Sequence, residues 1–375
     1  MTFFDELDKG RFYDLFKSDP FHVPPREVEK AIGKEFLGEK DFFALLSVEA
    51  EAYLEEMARR AHCETLKHFG RTIRLYTPLY ISDFCDNQCL YCSFNHQNPF
   101  PRRRLSVAEI EKEGRAIAAQ GFRDILVLTG ESRRESPVEY IAEACRILRF
   151  YFPALSIEIY PLSEEDYKRL YEAGVNGLTI YQETYDEKLY QTVHPVGPKK
   201  NFRFRLEAPE RGGKAGLRWI NIGVLLGLGN WRRDIFIGGL HARYLMDRFP
   251  HCDIGMGVPR LRPYFGSPLK AQPVSDRHLV QIICALRLFL PHLHISLTTR
   301  ERPSLRDNLL PLGVTRISAG SVTSVGGHVQ WADVPRVPQF EIADHRPLQE
   351  VVETVKAHNY EPVFQDWMEH EIGLP

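Results

Sequence analysis

No apolar run in the sequence reaches the ~18 residues that mark a membrane-spanning helix. Charge of one sign is not in excess either. The 48 Lys and Arg stand against 50 Asp and Glu, a formal charge of −2, so a broad basic field for nucleic acid is disfavoured. Internal repeats, coiled-coil heptads and low-complexity linkers are absent, which excludes solenoids, long coiled coils and disordered tails. The N-terminus, MTFFDELDKGRFYDLF, carries acids early and has neither the apolar centre nor the small-residue cleavage site of a secretory signal. A cytoplasmic location with reduced thiols is the expectation. Seven cysteines, an odd number in 375 residues, do not read as a disulfide framework. What remains is an ordinary globular composition, 43% hydrophobic and 11% aromatic, long enough for two or three domains or for one large α/β barrel with extensions.

Residues 1–70 read as a helical extension, somewhat separate from the rest of the chain. REVEKAIG after Pro24-Pro25 has helical spacing, and 41–70 forms one or two amphipathic helices stopping at Gly70. From about Leu75 short apolar strands alternate with capped helices. Eight strands are predicted, over residues 76–82, 124–129, 155–160, 178–182, 219–225, 253–258, 294–298 and 314–318. Ser106 with Glu109 and Ser136 with Glu139 read as capping boxes, and Ser163 and Ser275 open further helices. Eight strand–helix units in roughly 250 residues predict a (β/α)₈ TIM-type barrel over 71–325; a doubly wound open sheet shares the same alternation. The tail 326–375, with one helix from Pro347 to His358, reads as an extension packed on the barrel.

Four cysteines, Cys63, Cys145, Cys252 and Cys284, read as small buried hydrophobes. The other three form Cys85-x₃-Cys89-x₂-Cys92 just after the first predicted strand, on the face where barrels carry their chemistry. Soft thiolates in one loop suit an iron–sulfur cluster or zinc. A closed structural zinc site needs four ligands, which His96 would complete. A four-iron cluster on three cysteines keeps one iron open for a group that is not protein.

CDNQCLYC resembles the signature of the radical S-adenosylmethionine (SAM) enzymes. The resemblance implies a [4Fe–4S] cluster on Cys85, Cys89 and Cys92, with SAM on the fourth iron as the source of a 5′-deoxyadenosyl radical. It continues through Leu-Thr129-Gly130-Glu131, a variant of the family's Gly-Gly-Glu segment. Further on come Tyr181-Gln-Glu-Thr-Tyr185, the run HPVGPKKNFRFRLEAPERGGKAGLRWINIGVLLGLGNWRRD, Pro259-Arg-Leu-Arg-Pro263, TTRERPSLRDNL and Ser318-Ala-Gly-Ser321. From about residue 70 to 330 the chain is thus similar to the radical SAM tyrosine lyases. That group includes enzymes of thiamine biosynthesis and a maturase of [FeFe]-hydrogenase, and its barrel has a biotin- and thiamin-synthesis-associated C-terminal half. The maturase carries a second cluster on later cysteines, and this sequence has none after Cys284. The thiamine-type lyase is therefore the expected branch. It implies cleavage of the Cα–Cβ bond of L-tyrosine to 2-iminoacetate and p-cresol, with 5′-deoxyadenosine and methionine as co-products. Tryptophan as substrate, a maturase-like lyase without the second cluster, and a non-catalytic iron–sulfur or zinc module are the alternatives.

The resemblance also implies residue roles. Thr129, Gly130, Glu131, Glu158, Tyr91 and Arg205 (in preference to Arg203) are expected at SAM, with Gly227 and Gly229 near its adenine. Arg260 is the first choice for the tyrosine carboxylate, because a guanidinium forks onto a carboxylate; Arg262 is its rival. Tyr181, Glu183 and Ser321 complete the expected substrate contacts. Asn230 stands where the pattern has an acid, and Asn retains the helix-capping function. Arg102-Arg103-Arg104 reads as a solvated face, or as a dock for an acidic electron donor such as flavodoxin or ferredoxin. A thiazole synthase partner is implied as well; a nucleic-acid or membrane partner is not.

Overall fold

The computed structural model describes residues 2–8, 21–266, 269–329 and 336–364. Eight parallel strands close into a barrel: β1 (Thr72–Ser82), β2 (Asp124–Thr129), β3 (Ala154–Glu158), β4 (Gly177–Thr179), β5 (Trp219–Gly223), β6 (Asp253–Gly257), β7 (His294–Leu297) and β8 (Arg316–Ser318). Each pairs with the next, and β1 pairs with both β8 and β2, which closes the ring and rules out the open sheet. The strands are apolar and enclosed by helices, as parallel sheets require. Closure is also tied ionically inside the barrel. Asp124 on β2 accepts from Arg74 Nε on β1 at 2.8 Å and from Arg316 Nη2 on β8 at 3.0 Å, all three buried.

Most local signals act as expected. Ser106 accepts from Glu109 N while the Glu109 carboxylate reaches back to Ser106 N, and Ser163 and Ser275 cap their helices in the same sense. Ser136 does not. Pro137 takes the N-cap position with an extended ψ of 162°, the helix starts at Val138, and the Ser136 hydroxyl makes no cap bond. Asn230 caps the Trp231–Arg248 helix by accepting from Arg232 N and Arg233 N, so the missing acid costs the helix nothing.

Two features differ from the sequence expectation. A ninth strand, β9 (Glu361–Val363), lies beside the first three residues of β1; Pro362 at this outer edge loses no needed donor. The N-terminal helices Pro25–Gly33, Glu39–Leu45 and Leu54–Phe69 are not set apart but share one core with the barrel. Phe42 stacks on Phe289 at 4.2 Å, and buried Gln281 donates to the carbonyls of Leu45 and Ser47.

Candidate active site

The loop 83–98 leaves β1 and carries the three cysteines across the C-terminal end of the barrel. Its shape is imposed from outside. Asp86 N bonds Glu131 O, Gln88 N bonds Val196 O, Leu90 N bonds Val193 O and Ser93 N bonds Gln339 O, each at 3.1 Å. Arg102 clamps the loop from beneath, donating to the carbonyls of Asp83, Phe94, Asn95 and Asn98 at 2.6–3.3 Å. The basic run is thus a structural brace at its first residue: Arg102 stacks on Phe100, while Arg103 pairs with Glu109.

Two glycines let backbones meet here. A Cβ on Gly130 would fall 2.3 Å from Phe84 O, and one on Gly197, at φ +102°, would fall 2.3 Å from Asn87 Oδ1. The second contact seats the turn that carries Lys199, whose backbone N–H bonds the same Asn87 oxygen at 2.8 Å.

Behind the loop lies an open-mouthed cavity. Its wall includes Cys85, Cys89, Cys92, Tyr91, Thr129, Gly130, Glu131, Glu158, Tyr181, Glu183, Arg205 and Ser321. The sequence reading thus placed most of its candidates on one surface. A buried ion cluster organises one side. Arg205 Nη1 meets Glu131 Oε1 at 2.8 Å, and Lys199 Nζ meets Glu183 Oε1 at 2.8 Å and Glu131 at 3.9 Å. Asn87 Nδ2 adds a bond to Glu131 at 2.9 Å. Burial pushes the Glu131 carboxyl up, but Arg205 and Lys199 outweigh it and hold the group below its usual range. Glu183 adopts φ +72°, a left-handed conformation uncommon for a residue with a Cβ, and its ion pair with Lys199 helps hold it there.

Arg205 and Arg203 separate, with the preferred Arg205 inside. They lie in the short helix Phe202–Leu206; Arg205 is buried in the cavity wall, and Arg203 pairs outside with Glu207. Tyr91 bonds His194 Nε2 at 2.7 Å. Burial lowers that imidazole to about 2, so it stays neutral and the phenol donates to it.

Four candidates do not reach the cavity. Arg260 spends its guanidinium on Glu301 (Nε at 2.9 Å), Asp276 (Nη1 at 2.9 Å) and the Val274 carbonyl, an arrangement that ties the loop after β6 to the Asp276–Phe289 helix. Arg262 likewise does not line the wall. Gly227 (φ +108°) and Gly229 form the turn packed on Leu261 and Leu189, outside the lining. A cation that does line the cavity, and that the sequence did not single out, is Arg300, in the loop after β7. Its guanidinium lies 3.4 Å from the centre of the Phe340 ring, and among the described residues no carboxylate is within ion-pair distance of it. Lys199, Tyr76, Tyr80 and Gln339 also line the cavity without having been foreseen.

The residues fit a cluster and its co-substrate. Burial pushes the Cys85 thiol up to about 12 and raises Cys89 and Cys92 too, so as thiolates they call for a cationic centre. The hydroxyls of Thr129, Thr179 and Ser321 are buried at the cavity with no partner among the described residues, which a polar ligand would supply. Among the described residues no three His, Cys, Asp or Glu side chains converge on a single ion. His96 turns its Nδ1 to Cys85 O at 3.1 Å.

The comparisons agree with this geometry. Residues 79–236 match the radical SAM superfamily and 257–361 the biotin and thiamin synthesis associated domain. The chain is 39% identical over 342 residues to the 2-iminoacetate synthase of Escherichia coli (strain K12), covering 91% of this chain and 90% of that one. The chain belongs to the radical SAM superfamily. Among solved structures, HydG, a maturase of the [FeFe]-hydrogenase, superposes with a TM-score of 0.86 at 28% identity, covering 96% of this chain and 80% of that one. The 3-methylornithine synthase of Methanosarcina acetivorans is 32% identical over 270 residues, 70% of this chain and 73% of that one. Among the described residues no helix is long and apolar enough to cross a membrane.

Glu158 gives a stability prediction. Burial first, then the nearby Glu183 charge, raises its carboxyl from 4.5 to about 7, against smaller opposing pulls from Arg300, Lys199 and Arg205. The folded chain therefore holds a proton that the unfolded chain releases, so stability falls as pH rises from about 4.5 through 7. Glu158→Gln removes that loss. Urea melts should show the variant gaining on the order of 3 kcal/mol at pH 8 relative to pH 4; equal gains at both would show that Glu158 does not titrate in this way.

Proposed function

We propose that this radical SAM enzyme is a carbon–carbon lyase that cleaves the Cα–Cβ bond of L-tyrosine. The products are 2-iminoacetate and p-cresol, with 5′-deoxyadenosine and methionine, serving thiazole formation in thiamine biosynthesis. The observation that carries this reading is the 39% identity to 2-iminoacetate synthase along nine-tenths of both chains. When bound, a [4Fe–4S] cluster held by Cys85, Cys89 and Cys92 supplies the electron that cleaves SAM and yields the hydrogen-abstracting 5′-deoxyadenosyl radical.

The chain's own residues bind, orient and exclude water. Arg205 and Lys199 offer charge to the SAM carboxylate, and Glu131 and Glu183 offer acceptors to its ammonium. Thr129 brings an unpartnered hydroxyl to the same wall. Arg300, in place of Arg260, takes the tyrosine carboxylate through its two-pronged guanidinium. Tyr181, Glu158 and Ser321 line the substrate side. Phe340 and Gln339 roof the cavity and limit water around the reacting atoms. An external one-electron donor such as a flavodoxin or ferredoxin is required, and the unstable imine is suited to direct transfer to a thiazole synthase.

The fit to HydG favours a second reading, a maturase-type tyrosine lyase working without a further cluster. Both readings share tyrosine cleavage and differ in the fate of the imine. The test is anaerobic reconstitution with iron and sulfide, followed by dithionite, SAM and either L-tyrosine or L-tryptophan, with products separated by chromatography. p-Cresol is the expected product from tyrosine. 5′-Deoxyadenosine without any tyrosine fragment would sink the substrate assignment while leaving the radical SAM chemistry standing.

A further inference from the structure

Glu158, at the end of β3, lines the cavity, and among the described residues its carboxylate has no hydrogen-bond or ion-pair partner. Glu131 and Glu183 on the same surface are both held by cations. Thr179 ends β4 beside it: Ile157 pairs with Leu178, so Glu158 and Thr179 follow as neighbours at the two strand ends. Thr179 also lines the cavity, is 1% exposed, and has no partner for its hydroxyl among the described residues. Asn221 on β5, paired with Thr179, carries the row one strand further, and its side-chain oxygen is likewise unpartnered among those residues. A carboxylate only accepts, whereas a threonine hydroxyl donates as well. The two together suit a ligand hydroxyl that donates to one and accepts from the other.

The far side of the barrel has the opposite chemistry. In the ring of eight strands, β7 stands four places from β3, and β8 four places from β4. Arg300 follows β7 and Ser321 follows β8, and both line the same cavity. An amino acid whose carboxylate lies at Arg300 therefore points the end of a long side chain toward β3 and β4. On the wall between, the Tyr181 ring is seated against Gly223 and Gly257, a pair on β5 and β6. A Cβ on Gly223 would fall 2.7 Å from Tyr181 Cδ1, and one on Gly257 would collide with the Tyr181 hydroxyl oxygen. The two glycines let this ring lie flat on the wall and keep a lane open for an aromatic side chain.

We propose that Glu158 and Thr179 read the phenol of the substrate: its hydroxyl donates to the Glu158 carboxylate and accepts from Thr179 Oγ1, which selects tyrosine over phenylalanine. An analogue without the hydroxyl leaves a buried acid and a buried hydroxyl unpaired, and such sites discriminate strongly. The inference rests on tyrosine as the substrate and on Arg300 as the seat of its carboxylate.

The test is calorimetric binding of L-tyrosine and L-phenylalanine to the full reconstituted chain with SAM, without reductant, so that nothing turns over. The wild-type chain should prefer tyrosine by on the order of 10²-fold or more. Glu158→Leu and Thr179→Val should each weaken tyrosine about 10-fold or more and leave phenylalanine within about 2-fold. If Glu158 instead held the substrate ammonium, Glu158→Leu would weaken both amino acids alike, and that result overturns the proposal. A wild-type chain that binds both equally, or neither, overturns it too. Thr179→Val is close to isosteric and breaks no bond among the described residues, so it decides alone if Glu158→Leu fails to fold; an unchanged preference there overturns the proposal. The p-cresol assay is read separately. A chain that prefers tyrosine yet releases no p-cresol on reduction loses the assigned reaction and keeps this site, and p-cresol from a chain indifferent to the hydroxyl does the reverse.

Discussion

Replacing Cys89 with alanine should abolish both 5′-deoxyadenosine and p-cresol, while leaving a folded barrel. The two halves of this expectation have different causes. Cys89 is 6% exposed and packs with Tyr91, Val193, Leu225 and Leu228, so losing its sulfur removes little apolar volume. The loop carrying it is held by backbone bonds to Val196, Val193, Glu131 and Gln339 and by the Arg102 clamp, none of which involves the thiol. Stability should fall by no more than about 1 kcal/mol, in the range of a small core truncation. The cluster, in contrast, has only three local sulfur ligands and no fourth nearby to substitute. Iron and sulfide content after reconstitution, set beside the thermal melt, checks the claim. A Cys89→Ala chain that still turned over SAM would refute the cluster assignment.

The sequence made the barrel legible because its signals were local and repeated. β2 begins and ends where the reading put it, and Ser106, Ser163 and Ser275 cap their helices because a hydroxyl before a helical run has a donor to satisfy. Ser136 broke the pattern because the proline after it took the capping position for itself. β9 was invisible: three residues containing a proline carry no period, and only the outer edge of β1 makes a strand of them. The site divided in the same way. Cys85, Cys89 and Cys92 announce themselves by spacing, and Glu131, Glu183 and Arg205 by their place after strands or in the matched run.

Arg260 and Arg300 show where such reading ends. Both follow strands of the same barrel, and both are guanidiniums with the right chemistry. Which one faces the cavity depends on Glu301 and Asp276, acids contributed by other elements that capture Arg260, while Arg300 stays in the cavity wall. Gln339 is further from legibility still. It lies 247 positions beyond Cys92, in a stretch without motif, and reaches the cysteine loop only because the segment carrying it folds back over the mouth.

Arg205→Met should be the second severe loss, and it should appear in stability as well as in turnover. Arg205 is 5% exposed and shares its charge between Glu131 at 2.8 Å and Glu183 at 4.0 Å, while its Nε donates to the Tyr181 carbonyl at 2.6 Å. The two carboxylates and the two cations Arg205 and Lys199 neutralise one another. Methionine keeps most of the packing but leaves two buried carboxylates to one lysine, and breaking a buried pair from one side typically costs about 3–5 kcal/mol. Arg205→Lys retains the charge, so most of that stability should return. Its single ammonium lacks the fork that meets Glu131 and the Tyr181 carbonyl together, so the wall it positions should shift. Turnover in the lysine variant should therefore stay depressed, on the order of 10²-fold, despite the recovered stability. Denaturant melts of both variants, set beside steady-state 5′-deoxyadenosine formation across SAM concentrations, separate the two effects. Full recovery of both by lysine would show that Arg205 contributes charge alone, and failure of lysine to recover stability would place its weight on the hydrogen bond to the Tyr181 carbonyl in the loop after β4 instead.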